Sequence, residues 1–224
     1  MIFLLFCKIF SRKSSLLLTM RYVDLHTHRK GDNKYEVQGT RYSVVNCAPT
    51  DGLDGVRYCS VGIHPWDVAE GWHEDFERLK ERVLLPQVVA IGECGLDKLR
   101  GGEWSLQMEC FQAQIDLARM VGKPLILHCV KAVDEVMRMC VGVKCVFHGF
   151  RGKPELAKQL LGREFDLSFG ERFNVESLAL AWQAGRMWLE TDESELGIEE
   201  IYERAARALR ISPTDIVVPG TVSW

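Results

Sequence analysis

Residues 22–28 have the sequence Tyr-Val-Asp-Leu-His-Thr-His, a short β-type segment that ends in two histidines. Alternate residues of a β-strand share a face, so the side chains of His26 and His28 are expected to point to the same side. Two neutral imidazoles that converge on one point are suitable ligands for a divalent metal ion. The segment therefore predicts a metal site at the end of a first strand, provided that later strands supply further ligands.

Seven more strand-like segments follow, and most are continuously apolar, which is typical of parallel strands covered on both faces. The predicted strands span residues 22–25, 42–48, 57–63, 88–92, 124–129, 143–147, 165–169 and 187–191. Helical patterns lie between the later strands. Apolar stripes begin at Trp72, Trp104 and Ile198, and shorter helices are predicted over residues 133–140, 154–161 and 175–184. This alternation predicts an α/β fold, a TIM-type (β/α)8 barrel.

The connections between the first three strands are too short for a complete barrel. Residues 31–40 and 49–55 are polar, rich in Gly and Asp, and leave little room for covering helices. Barrels of this class usually need roughly 250 residues, whereas this chain has 224. We therefore predict that the first two outer helices are missing or reduced to loops.

The composition indicates a single globular domain over residues 20–224. Residues 1–19 form an apolar and basic extension, which we interpret as disordered or as a mis-assigned start upstream of Met20. Its apolar run is far shorter than the roughly 20 residues of a membrane span, so no membrane partner is expected. The eight cysteines include no C-x-x-C pair, which favours a reducing, cytoplasmic location. The net charge of −3 offers no global basic field, so an anionic substrate would need local cations or metal.

The chemically reactive side chains concentrate at the ends of the predicted strands, where barrels of this class build their active sites. Five of the six histidines lie at such ends, and only His73 lies in a predicted helix. Each of these residues alone would be interpreted as a hydrogen-bonded or capping group, but together they predict a metal centre. The candidate metal ligands are His26, His28, Glu93, His128, His148 and Asp192.

Such a ligand set can hold two divalent ions, for which Mg, Mn and Zn are the candidates. Two ions bridged by a carboxylate orient a phosphoryl group and activate water near neutral pH. Glu93 lies centrally in the strand order and is the expected bridge. Asp192 is expected to bind metal and to take the proton of the attacking water. Glu93 and Asp192 are therefore the predicted catalytic residues.

Cations in the strand-end loops, among them Lys131 and Arg151, are candidate contacts for substrate phosphate, although any one of them alone would be ordinary solvated surface. Trp66 follows His64-Pro65, and its position suits either stacking on a base or a role as a lid or packing residue. The sequence leaves these interpretations of Trp66 open.

The ordered set of motifs resembles the TatD family of metal-dependent deoxyribonucleases. The matching segments are DLHTH at 24–28, GIHP at 62–65, GECGLD at 92–97, KPLILHC at 123–129, HGFRG at 148–152, LSFG at 167–170 and LETD at 189–192. They span nearly the whole chain from Met20. The related amidohydrolases share the His-x-His motif but often have a modified lysine on the fourth strand, so Glu93 favours the TatD branch.

The resemblance implies a barrel phosphodiesterase that cleaves DNA, often as an exonuclease, with two divalent ions. His26, His28, Glu93 and Asp192 would hold one ion. Glu93, His128 and His148 would hold the other. His64 would be a phosphate-side group rather than a ligand. Single-stranded DNA is the expected partner.

Three departures from the family pattern keep other functions open. Family members usually have a helix after each of the first two strands, and this chain lacks the length for them. The residue after His128-Cys129 is commonly Arg, but here Val130 and then Lys131 follow. After Asp192, residues 193–195 lead almost directly into the last predicted helix, without the Arg-Asn-Pro run of many members. The alternatives are a metal-dependent hydrolase of a small phosphoester or cyclic amide, and a degenerate homologue that binds metal without turnover.

Overall fold

Eight strands pair in parallel, each with the next along the chain, and form a nearly closed barrel. The computed structural model describes residues 22–29 and 41–219. The strands are β1 Tyr22–Thr27, β2 Arg41–Cys47, β3 Cys59–Val61, β4 Val88–Asp97, β5 Leu125–Val130, β6 Cys145–Phe147, β7 Asp166–Phe169 and β8 Met187–Leu189. The predicted TIM-type α/β barrel is therefore confirmed.

Helices connect the strands from β3 onward. They are α1 Trp72–Arg82, α2 Trp104–Val121, α3 Val133–Met139, α4 Pro154–Leu161, α5 Val175–Gln183 and α6 Ile198–Leu209, and a 3-10 turn follows at Pro213–Asp215. All six agree with the sequence-based prediction. Apolar side chains of the strands and of the inner helix faces, such as Ile91, Leu127 and Ile115, are fully buried and form the core between the two layers.

The structure describes one of the two connections that were predicted to lack an outer helix. Between β2 and β3, residues 48–58 form turns and bends without a helix. The connection from β1 to β2 falls on residues 30–40, which lie outside the described residues, as does the predicted extension at 1–19. Within residues 22–29 and 41–219, every helix is too short or too polar to cross a bilayer.

The barrel closes between β8 and β1 through the residues that follow β8. The amide of Asp192 donates to the carbonyl of His26 at 2.9 Å, and the amide of His28 donates to the carbonyl of Asp192 at 3.3 Å. The buried carboxylate of Asp24 accepts bonds from the amide and the hydroxyl of Thr191 at 2.8 and 2.7 Å. Closure therefore fixes Asp192 beside the two histidines of the first strand.

Strand β4 corrects one detail of the prediction. Glu93 was expected to follow the fourth strand, but β4 continues to Asp97, and the register with β5 shifts between Ile91 and Cys94. Gly92 lies at this irregularity with φ 149°, and a Cβ there would lie 2.6 Å from the carbonyl oxygen of Ile126. Only glycine fits such a close approach of two backbones. The irregularity places Glu93 within the barrel mouth rather than beyond it.

Two buried glutamines of α2 hold the loops at the barrel mouth. Gln114 accepts a bond from the amide of Ile63 at 2.8 Å and donates to its carbonyl at 3.1 Å. Gln107 accepts from the amide of Asp97 at 2.9 Å and donates to the carbonyl of Gly102 at 3.0 Å. Both side chains satisfy backbone groups beyond the strand ladder, so α2 fixes the segment that leads into His64.

Candidate metal centre

The carboxylate of Glu93 lies at the centre of five histidines, which we call the histidine cluster: His26, His28, His64, His128 and His148. Its Oε2 atom lies 3.3 Å from Nε2 of His26 and 3.7 Å from Nε2 of His28. Its Oε1 atom lies 3.1 Å from Nε2 of His64, 2.8 Å from Nδ1 of His128 and 2.8 Å from Nε2 of His148. Each oxygen of the carboxylate therefore has its own nearest imidazoles, and the two sides meet where the rings of His26 and His148 lie 4.5 Å apart, centroid to centroid.

Asp192 completes the group on the Oε2 side. Its Oδ1 atom lies 3.8 Å from Nε2 of His26 and 3.5 Å from Nε2 of His28. Ligand atoms of these three residues all lie within 4.8 Å of one another. Three other sets meet the same criterion: His26, Glu93 and His148; His64, Glu93 and His128; and His148, Glu190 and Asp192. All six predicted metal ligands are thus brought together at one mouth of the barrel.

His26 supports a fit to metal. Its side chain is fully buried, yet neither Nδ1 nor Nε2 has a hydrogen-bond partner of acceptable geometry. Buried polar nitrogens without partners are costly in a folded protein. A cation next to Nε2 would satisfy one of them, and the donor set of imidazoles and carboxylates suits a divalent ion.

His64 is in contact with two of the predicted metal ligands. Its ring is within 4.4 Å of the His128 ring, centroid to centroid, and its Nε2 atom contacts Glu93. The predicted role of His64 at the phosphate stays a prediction, and its position is also compatible with a metal contact. His73, which was excluded from the site, is exposed on α1 and stacks on Trp72.

Sequence reasoning missed two carboxylates behind the histidines. Glu190 is fully buried, accepts a bond from the amide of Gly149 at 2.6 Å, and lies 3.4 Å from Nδ1 of His148. Asp97 lies 3.1 Å from Nε2 of His128. Carboxylates in this position fix the orientation and basicity of metal-binding imidazoles. Both residues follow apolar residues within the quoted motifs. An ionisable side chain at the end of a buried strand could have indicated a role at the site.

Asn46 is a further residue that the sequence did not identify. Its side-chain oxygen accepts a bond from the amide of Glu93 at 2.9 Å, and its amide group lies 3.4 Å from Oε2 of the same residue. Ser60 donates to the same oxygen of Asn46 at 3.4 Å. Strands β2 and β3 therefore help to orient the central carboxylate.

The histidine cluster and the carboxylates shift one another's pKa values. Burial alone would raise the pKa of Glu93, but its contacts with the ring nitrogens of His128, His148, His26 and His64 hold it far below its ordinary value. Burial would lower the pKa of His148, but its contacts with Glu190 and Glu93 raise it well above that of a free histidine. Burial raises the pKa of Asp192. A buried glutamate is thus kept ionised by surrounding nitrogens that a metal ion would also use.

A cleft of about 310 Å³ opens beside Asp192. Arg151 and Arg172 lie in its lining, together with Glu171, Glu193 and Glu195. Of the predicted substrate contacts, Arg151 is therefore next to the centre, whereas Lys131 is exposed and lies outside this lining. A larger cleft of about 1180 Å³ includes the starts of β6 and β7 in its lining and contains none of the predicted ligands.

Comparison with known proteins gives one family. The family described as TatD related DNase matches residues 34–195. A Bacillus subtilis protein named "Uncharacterized metal-dependent hydrolase YabD" is 35% identical over 123 residues, which cover 50% of this chain and 47% of the relative. An Erwinia billingiae protein named "3'-5' ssDNA/RNA exonuclease TatD" is 34% identical over 151 residues, which cover 62% of this chain and 58% of the relative. The chain thus spans about half the length of these relatives.

Solved structures support the same fold. A TatD family hydrolase from Entamoeba histolytica superposes with a TM-score of 0.67 at 16% identity, over 88% of this chain and 94% of that one. The TatD homolog YJJV from Escherichia coli K12 superposes with a TM-score of 0.70 at 20% identity, over 88% of this chain and 93% of that one. At these identities the similarity establishes the barrel architecture.

Proposed function

Because the chain belongs to the family of TatD-related DNases, we propose that it is a metal-dependent hydrolase that cleaves phosphodiester bonds in DNA, acting as an exonuclease on single strands. The main observation behind this proposal is the position of the Glu93 carboxylate. Its Oε2 atom is nearest to His26, and its Oε1 atom is nearest to His128 and His148. A carboxylate in this position suits a bridge between two cations. Relatives named as single-strand DNA and RNA exonucleases support the choice of substrate.

The family resemblance implies which residues would hold the cations, and the proximity of these side chains supports it. His26, His28 and Asp192 would hold one ion together with Oε2 of Glu93. His128 and His148 would hold the other together with Oε1. Mg, Mn and Zn are the candidate ions. When bound, such a pair lowers the pKa of water and offsets the charge of a phosphodiester.

The side chains of this protein would contribute binding and proton transfer. Asp192 is 29% exposed, adjoins the cleft, and has a pKa raised by burial, so its carboxylate would accept a proton from water attacking phosphorus. The bond from the water oxygen to phosphorus forms as the bond to the leaving ester oxygen breaks, and that oxygen takes its proton from solvent. Arg151 and Arg172 would hold an adjacent phosphate in the cleft.

A small phosphoester is the second candidate substrate. Glu171, Glu193 and Glu195 lie in the same cleft as the two arginines and would repel the additional phosphates of a long polyanion. The connection from β2 to β3 also lacks a helix that would extend the mouth. These features favour a short substrate over a tightly held long strand.

The test is metal analysis of the purified protein, followed by hydrolysis assays on the same sample. Single-stranded DNA and a small phosphodiester are supplied with Mg, Mn, Co or Zn. We expect metal-dependent release of nucleotides that is lost in Glu93→Ala and retained in His73→Ala, a histidine outside the cluster. Hydrolysis of the small ester alone would favour the second candidate. Absence of any hydrolysis above an enzyme-free control, with metal bound, would leave only a non-catalytic metal-binding role.

A further inference from the structure

Trp66 is an aromatic side chain that is held rigidly and yet remains open to solvent. Its indole N–H donates to Oδ2 of Asp97 at 2.7 Å, and its backbone amide donates to Nδ1 of His64 at 3.2 Å. The residue is nevertheless 41% exposed. A packing residue would be buried, and the bond from the indole to Asp97 holds the side chain in place. The indole is therefore held in a fixed position in which part of its surface is accessible to a ligand.

Arg100 lies over this ring. Its guanidinium carbon is 3.6 Å from the centroid of the Trp66 ring, which is within range of a strong cation–π contact. The side chain is exposed, and no carboxylate of residues 22–29 or 41–219 forms an ion pair with it. Its backbone is fixed, because its amide donates to Asp97 at 3.1 Å and its carbonyl accepts a bond from Gln107 at 3.3 Å. The result is a guanidinium placed over an indole, with the carboxylate of Asp97 bonded to the indole N–H and to the Arg100 backbone.

This stack adjoins the metal centre. The Trp66 ring lies 4.7 Å from the ring of His64 and 5.4 Å from that of His128, centroid to centroid. Both histidines contact Oε1 of Glu93. In the strand order of the barrel, β3 and β4 lie across from β7 and β8. The stack and the arginine-containing cleft therefore flank the centre on opposite sides.

We propose that Trp66 and Arg100 form a base-stacking platform, which binds a nucleobase adjacent to the phosphate at the histidine cluster. Nucleobases of single strands stack on aromatic rings and on guanidinium planes, and arginine adds attraction to the nucleic acid charge. A strand would then cross from the platform over the centre to Arg151 and Arg172 in the cleft. This inference rests on the proposed function, since it assigns a nucleic acid rather than a baseless ester to the site.

The test measures binding separately from hydrolysis. The probes are two fluorescein-labelled single-stranded hexamers of equal charge with phosphorothioate linkages that slow hydrolysis, one with thymine bases and one with abasic residues. Fluorescence anisotropy of the purified, metal-loaded protein gives both affinities. We expect the thymine hexamer to bind about tenfold more tightly than the abasic one. We expect Trp66→Leu to bring this preference, measured as the ratio of the two affinities of the same variant, close to one.

Two further variants make the result specific. Arg100→Gln removes the guanidinium without altering the indole and is expected to lower the preference for bases. Trp104→Leu is the matched control, because Trp104 is similarly exposed and has Lys98 over its ring at 5.3 Å, but its ring does not contact the described histidines of the cluster. The Trp104→Leu variant is expected to prefer the thymine hexamer as strongly as the unmodified protein does.

The outcomes separate the platform from the proposed function. Equal binding of the two hexamers by the unmodified protein, or a preference that survives both Trp66→Leu and Arg100→Gln, would overturn the platform. The first comparison needs no variant, so it remains decisive even if a substitution impairs folding. Unmodified DNA is assayed for cleavage in parallel. A base preference without cleavage by any metal would refute the proposed function while leaving the platform intact, and cleavage without a preference would do the reverse.

Discussion

At the scale of single residues, the centre depends on pairs in which a carboxylate supports an imidazole. Glu190 is paired with His148 and Asp97 with His128, and both carboxylates are buried. Burying an unpaired carboxylate is costly, so such residues persist only where a partner compensates them. In each pair the partner is also a predicted metal ligand, which assigns the carboxylates a positioning role.

Replacement of Glu190 is expected to weaken metal binding without unfolding the protein. Glu190→Gln keeps an acceptor for the amide of Gly149 but removes the charge that supports His148. Loss of such an outer partner typically lowers metal affinity about 10- to 100-fold, and competition with a chelator measures it. Glu195→Gln, which changes an exposed carboxylate in the cleft beside the centre, serves as the control. An affinity of Glu190→Gln equal to that of this control would contradict the positioning role.

A second residue-scale prediction concerns Asp166, at the start of β7. Burial raises the pKa of this carboxyl, although bonds from Trp188 and Arg186 at 3.0 Å oppose the shift. The folded state therefore binds the proton more tightly than the unfolded state. The resulting stability is complete below the pKa of an unfolded aspartate, about 3.9, and is lost as pH rises through the folded pKa.

Asp166→Asn removes this titration. The unfolding free energy of the variant, relative to the original protein, is expected to improve between pH 4 and pH 7, by up to about 1.4 kcal/mol for each unit of pKa shift. Urea unfolding at several pH values within this range measures the difference. A difference that stays constant with pH, or that moves against the variant, would contradict the expectation.

At the scale of elements, α2 does more than cover the barrel. Its buried glutamines complete backbone hydrogen bonds at the ends of β3 and β4, where the strand ladder has ended. The segment between Ile63 and Trp66 carries both His64 and one half of the platform. The packing of α2 therefore helps to fix the segment that carries His64 and Trp66.

Gln114→Leu is expected to destabilise the protein, because leucine fills the space but leaves the amide and carbonyl of Ile63 without partners. Each buried group left unsatisfied costs about 1–3 kcal/mol. Urea denaturation measures the loss. Gln112→Leu is a matched control on the same helix, since its only described bond is an exposed one to Asp116. We expect the control to change stability by less than about 0.5 kcal/mol, and equal effects of the two substitutions would argue against the role of Gln114.

At the scale of the whole molecule, the sequence was sufficient for the barrel and for the convergence of its ligands. Continuous apolar runs that end in His or a carboxylate predict buried parallel strands with a common mouth, as His26, His148 and Asp192 illustrate. The sequence did not reveal the roles of Gln114 and Glu190, because the role of a polar residue within an apolar segment depends on a partner that is distant in the chain. The position of Glu93 within β4 depended on a close backbone approach at Gly92, which no periodicity encodes.

The six predicted ligands come from or follow five of the eight strands, so a bound metal would join distant parts of the chain. A ligand that binds only the folded state stabilises it by about 2.7 kcal/mol at a concentration of 100 times its dissociation constant. We expect added Zn or Mn to raise the melting temperature and EDTA to reverse the effect. Glu93→Ala should lose most of this increment, because both groups of imidazoles share that carboxylate, whereas His73→Ala should retain it. An increment that persists in Glu93→Ala would mean that the metal stabilises the barrel from some other place.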